Sequence, residues 1–370
     1  MRGILTVPVL VGALLAVPHQ AFAAAPVSLG PTGGSASGPF GGSDSGPVGG
    51  SASGAVGGSA FGAVGGSASG AVRSAFAAAS VPDGFASVAA LGLGGTTGGA
   101  GGATVTAGTT DELLAAIDTV GPLIIQVSGT IAITSKQGVR PNKTIVGLGA
   151  NAVVTGGGFD FYRSSNVIVR NLTFTDAEDD AINVGQESHH IWIDHNTFVR
   201  PVDGSVDIVR GADYVTVSWN HFAGTDKSML IGHSDGAAST DVGHLKVSIH
   251  HNWFDGSRQR HPRVRFGEPV HVYNNWFRGN ELYGVASTMN GGVLVEGNNF
   301  SGVPYPCFSV SGYADSAPGR LVQRGNAFSS SGPCEAGGTV AEPSAWYSYS
   351  LDAPSAVPAL VQSGAGAGKL

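Results

Sequence analysis

The chain has 370 residues and a formal net charge of −7, with 19 Lys+Arg against 26 Asp+Glu. That balance gives no clustered positive surface for nucleic acid, and no apolar run reaches the roughly 18 residues of a membrane-spanning helix. Hydrophobic residues make up 42%, enough for a core. Gly, at 59 residues, is about twice its usual share and is unevenly spread.

The N-terminus reads as an export signal over residues 1–23. Met1-Arg2 supplies the charge, Ile4 to Val17 is almost wholly apolar, and Ala21-Phe22-Ala23 is a small-residue cleavage site. A secreted, extracellular protein is therefore expected. Residues 24–80 read as a disordered linker. Within them, 33–72 form five octapeptides (GGSASGPF, GGSDSGPV, GGSASGAV, GGSAFGAV, GGSASGAV), and 30–72 hold 16 of the 59 glycines. One apolar residue per unit cannot offset the about 1–2 kcal/mol per residue lost on ordering the backbone. The folded, catalytic part is expected over 81–370.

Thr110–Ile117 has the pattern of a capped amphipathic helix, placed to cover the open edge of a strand stack. PLIIQVSGTIAIT (122–134) and TIVGLGANAVV (144–154) read as the first coils of that stack. Seven segments then share one register: VIVRNLTF (167–174), IWIDHNTF (191–198), VTVSWNHF (215–222), VSIHHNWF (247–254), VHVYNNWF (270–277), VLVEGNNF (293–300) and LVQRGNAF (321–328). Position 8 is Phe in all seven, position 6 is Asn in six, and positions 1 and 3 are β-branched in six.

The Phe-to-Phe intervals are 24, 24, 32, 23, 23 and 28 residues. Alternating Val/Ile makes short strands with one apolar face. A period near 23 leaves no room for crossover helices, and a constant register is incompatible with hairpins. The fold class expected is all-β, a right-handed parallel β-helix with one coil per repeat. Coils stacked about 4.8 Å apart put like over like. The Phe residues, from Phe174 to Phe328, become a buried column, with Trp253 and Trp276 stacked outside it. The Asn at position 6 is read as the left-handed bend residue and as a rung of an amide ladder. The eight extra residues of the long coil fit best in 232–243. Cys307 and Cys334, the only cysteines, are expected to pair in an oxidising exterior, which would contribute roughly 3.5 kcal/mol.

The register also places charges. Asp180 lies 11 residues before Ile191, Asp203 lies 12 before Val215, and Arg260 lies 10 before Val270. They fall on one edge of successive coils, with Lys227 between the second and third. Eight carboxylates lie between Asp176 and Asp207, and Asp180, Asp203 and Asp207 have the oxygen chemistry for a hard cation such as Ca²⁺. Arg258, Arg260, Arg263 and Arg265 form a basic pole within eight residues. Such a cluster binds carboxylates bidentately, so an acidic ligand is implied. Side chains alternate along a strand, so His189 and His190, or His250 and His251, are not expected to share a zinc ion.

These residues resemble the extracellular pectate lyases of polysaccharide lyase family one, of the pectate lyase C type. WIDHNTF (192–198) matches its WxDH motif and Arg260-His-Pro-Arg-Val-Arg265 its RxPxxR motif. DGSVDIVRGADYVTVSWN (203–220) and DKSMLIGHSD (226–235) match the segments between, and the resemblance spans roughly 105–330. It implies calcium-dependent β-elimination of polygalacturonate to 4,5-unsaturated products, by a monomer with no nucleic-acid or membrane partner. It further implies calcium at Asp180, Asp203 and Asp207 with Glu178 as an additional ligand, Arg260 as catalytic base, and Lys227 and Arg265 as binders of the substrate carboxylate. Asp194 and His195 are implied to be structural. Ala286–Gly291 departs from the family, offering only Ser, Thr and Asn where many relatives carry Arg. The rival activities are a pectin lyase on esterified pectin and a β-helical polygalacturonase.

Overall fold

The structure, a computed structural model, describes residues 81–370. The export signal and the octapeptide linker lie outside the described residues. Among those described, three parallel sheets of ten, nine and eight strands run the length of a stack. Each coil contributes one strand to each sheet in turn, which is a parallel β-helix. Ile191, Val215, Val247, Val270, Val293 and Leu321 pair in sequence along the ten-stranded sheet. Phe174 to Phe328 pair along the nine-stranded one. The 32-residue interval is accommodated after the strand Lys227–Ile231, in a loop that carries the short helix Ala238–Asp241.

The interior follows from the repeat. Positions 1 and 3 point inward and are buried, except for Gln323 in the last coil, and the phenylalanine rings stack with centroids 4.3–5.4 Å apart. Phe159 extends the column edge-on at 5.5 Å. Phe328, expected to be buried, is 39% exposed because it ends the column. Trp253 and Trp276 stack outside the core at 5.1 Å, under the C-terminal helix Val357–Gly364.

Position 6 is the ladder. Asn196, Asn220, Asn252, Asn275, Asn298 and Asn326 are joined by Nδ2–Oδ1 hydrogen bonds of 3.0–3.1 Å. The bend, however, is one residue earlier than expected. Position 5 is left-handed in every coil: Asn171, His195, Trp219, His251 and Asn274 have φ of 49–57°, and Gly297 and Gly325 have 64° and 61°. Position 6 is kept for inward hydrogen bonding, so the turn falls on the outward residue before it.

The histidine argument also needs correction. His190 and His251 are left-handed (φ 57° and 54°), so strand alternation fails there. His189 Nδ1 lies 2.8 Å from His190 Nδ1, and His250 Nδ1 lies 3.0 Å from His251 Nδ1.

The helix Thr110–Ile117 is capped by Thr109, which accepts from Glu112 N while Glu112 returns a bond to the Thr109 backbone. Leu113, Ala116 and Ile117 join the core. Two further segments clasp the stack. Phe85 and Ala86 donate backbone N–H to Ser248 and Thr216. The C-terminal tail runs back from Tyr347, beside His271, to Gly368, beside Asn171. Cys307 and Cys334 are joined in a disulfide. No helix among the described residues is long and apolar enough to cross a membrane.

Candidate active site

The site lies on the outer face of the eight-stranded sheet. Val184, Ile208, Ile231 and Val264 pair across it and face the core, buried. The residues one position earlier, Asn183, Asp207, Leu230 and Arg263, therefore face outward. Ile182 pairs with Val206, which brings Asp180 level with Gly204. Asp179, Asp180 and Asp203 offer carboxylate oxygens within 4.8 Å of one another.

Asp180 Oδ1 accepts the Gly204 N–H at 2.9 Å. Asp207 Oδ1 is buried and has no hydrogen-bond partner. A Cβ on Gly204 would stand 2.8 Å from both Asp180 Oδ1 and Asp207 Oδ1. Glycine thus keeps a space between two carboxylates. Burial, with the charge of Asp180 next, pushes the Asp207 carboxyl well above the usual range. Burial also raises Asp180, against the opposing pull of Lys136. An all-oxygen donor set, one of its oxygens unpartnered, fits a hard divalent cation.

Lys136 was not foreseen. Its Nζ lies 2.7 Å from Asp179 Oδ2 and 3.0 Å from Asp180 Oδ2. Burial alone would lower it, but these two partners outweigh that and it is pushed up to about 12.

The basic pole meets the acidic one through a bulge. Lys227 bridges Gln259, whereas Leu230 pairs with Arg263. Three residue steps on one coil therefore oppose four on the next. The extra residue re-aims the chain, and Arg260 within this stretch is left-handed, with φ of 64°. Arg260 lines the same groove as Asp180, Asp203 and Asp207, a cavity of about 490 Å³. It has no ion-pair partner among the described residues, whereas Arg258 pairs with Asp226 and Glu281.

The other expected residues are placed less directly. Lys227 does not line the cavity but reaches its edge by donating to Asp203 Oδ1 at 2.6 Å. Arg265 is turned to the inserted loop, its Nε donating to Asp235 Oδ1 at 2.6 Å. Glu178 is exposed and outside the cluster, where its neighbour Asp179 stands instead. Arg210 and His233, in contact at 2.9 Å, form part of the groove wall. Asp194 and His195 sit away from it, joined at 2.7 Å, with Asp194 also accepting from Arg170 and Ser218. Ser287 and Thr288 are buried, so the coil at 286–291 presents neither hydroxyl to the groove.

The fold and site together make a parallel β-helix that carries an acidic groove beside an arginine on its flank. The pectate lyase family profile matches residues 69–370. A pectate trisaccharide-lyase of Bacillus licheniformis is 38% identical over 299 residues, 75% of this chain and 84% of that protein. One from Thermotoga maritima is 38% identical over 333 residues, 78% and 89% of the two chains. Among solved structures, a pectate lyase from Bacillus sp. N165 in complex with trigalacturonate superposes with a TM-score of 0.70 at 30% identity, covering 78% of this chain and 99% of that one. The chain belongs to the pectate lyase family and is a polysaccharide lyase.

Proposed function

We propose that this protein is a secreted, calcium-dependent pectate lyase that cleaves α-1,4-linked polygalacturonate by β-elimination, leaving 4,5-unsaturated oligogalacturonates. One observation carries the reading: Asp180, Asp203 and Asp207, from two coils, line one groove with Arg260 from a third. Export rests on the pattern at residues 1–23, and the Cys307–Cys334 disulfide suits an oxidising exterior.

The C5–H of a uronate is a poor acid because its neighbouring carboxylate is already negative. Asp180, Asp203 and Asp207 would hold calcium, whose charge would neutralise this carboxylate and the enolate character developing beside it. Lys227 and Arg265 donate to the same carboxylate, each after exchanging its present partner, Asp203 or Asp235. Arg260, in its neutral guanidine form, takes the C5 proton. The C5–H electron pair becomes the C4=C5 bond, O4 departs with its own pair, and solvent protonates it. No water is added to the sugar.

The test is incubation with polygalacturonate, with and without a chelator, while following ultraviolet absorbance. Unsaturated ends that appear only with calcium are expected. Saturated fragments would identify a hydrolase, and chelator-resistant elimination would remove the calcium dependence.

A further inference from the structure

We propose that Lys136 is a resident counter-cation that occupies one side of the acidic cluster and sets how tightly the groove binds a divalent ion. This rests on the calcium reading above and concerns a residue outside the expected ligand and catalytic sets.

Asp180 divides the cluster. Its Oδ2 faces the Lys136 ammonium at 3.0 Å, which also touches Asp179 Oδ2 at 2.7 Å. Its Oδ1 faces the other way, to Gly204 N and the space that Gly204 leaves toward Asp207 Oδ1. The Lys136 side is thus neutralised by a cation built into the chain. The Asp207 side has an unpartnered oxygen.

The route of the lysine follows from the register. Lys136 pairs with Gly158, and Phe159 pairs with Ile182, so the side chain crosses an intervening coil to reach Asp180. A tethered ammonium on Asp180 would repel an ion held by that same carboxylate. It therefore weakens ion binding, while relieving the mutual repulsion of the carboxylates when no ion is present.

Calcium chloride titrated calorimetrically into the full-length protein, without substrate, tests this. Lys136→Met is expected to bind calcium about tenfold more tightly or better, and Lys136→Arg, which keeps the charge, close to the parental affinity. Lys136→Gln gives the same reading with a polar side chain if the Met variant loosens the fold. Calcium binding by the neutral variants that is unchanged or weaker, at parental thermal midpoint, overturns the proposal. Uptake by Lys136→Met but not by the parent would support the role of Lys136 and sink the calcium-dependent reading. Uptake by neither would overturn both.

Discussion

Lys227 Nζ donates to Asp203 Oδ1 at 2.6 Å, so the ammonium assigned to substrate and a carboxylate assigned to calcium hold each other. The pair is partly solvated, with 28% and 44% of the two side chains exposed. Such pairs contribute only about 0–1 kcal/mol, and exchanging them for an ion and a uronate costs little. Asp203→Asn removes one ligand charge without removing bulk. The expected outcome is calcium affinity lower by about tenfold or more, with a thermal midpoint near the parental one. Calorimetry and a melting curve check both.

Gly204 makes a sharper case. An added methyl would sit 2.8 Å from Asp180 Oδ1 and from Asp207 Oδ1, filling the gap between them. Gly204→Ala should therefore weaken calcium binding by about tenfold or more, because both carboxylates must shift to admit the methyl. Unchanged calcium affinity would move the ion away from this gap.

The asparagine ladder should carry measurable stability. Asn252 donates to Val217 O, His250 O and Asn275 Oδ1, and it accepts from Asn220 N and Nδ2. Asn252→Ala leaves several buried groups unpaired and is expected to cost about 3–5 kcal/mol. Asn326→Ala, at the half-exposed end of the ladder, should cost clearly less. Denaturant unfolding of the two variants provides the comparison.

Acid should destabilise the fold in a defined window. His261, fully buried between Ser257 and the Tyr283 carbonyl, is pulled down by burial to about 4. A histidine whose folded value lies below its unfolded value near 6.5 binds fewer protons in the native state. Its contribution is complete above about pH 6.5 and is lost between there and about pH 4, on the order of 3 kcal/mol. Glu296 adds a lower window. Burial would raise it, but hydrogen bonds from His271, Arg324 and Tyr349 bring it down to about 2. Its contribution is present above the ordinary carboxylate value and is lost as pH falls toward 2. Stability measured from pH 8 to 4 should fall, and His261→Gln should flatten the upper part of that fall.

The fold was legible because the coil repeats: Val/Ile at positions 1 and 3, Asn at 6 and Phe at 8 each recur at the spacing the stack imposes. Asp180, Asp203 and Arg260 were legible because they could be counted from that register, and Asp207 because it stood in the run of carboxylates beside them. What escaped lies outside the repeat. The left-handed residue at position 5 is Asn or Gly in four coils, but His195, Trp219 and His251 disguise it in the others. Lys136 belongs to an early coil without the eight-residue motif, so nothing in the sequence aligned it with Asp180. Asp179 and Glu178 are adjacent in a turn, where no periodicity decides which one faces the groove. Asp235, which engages Arg265, comes from the inserted loop, whose path the register does not constrain.

The central claim is that stacked coils bring Arg260 over a substrate held beside the carboxylate trough, where it removes a proton. The most direct test is the rate of unsaturated-product formation by Arg260→Lys at saturating calcium and polygalacturonate. A loss of about 10² to 10⁴-fold is expected, with calcium affinity and thermal midpoint retained. Turnover near the parental rate would contradict the account.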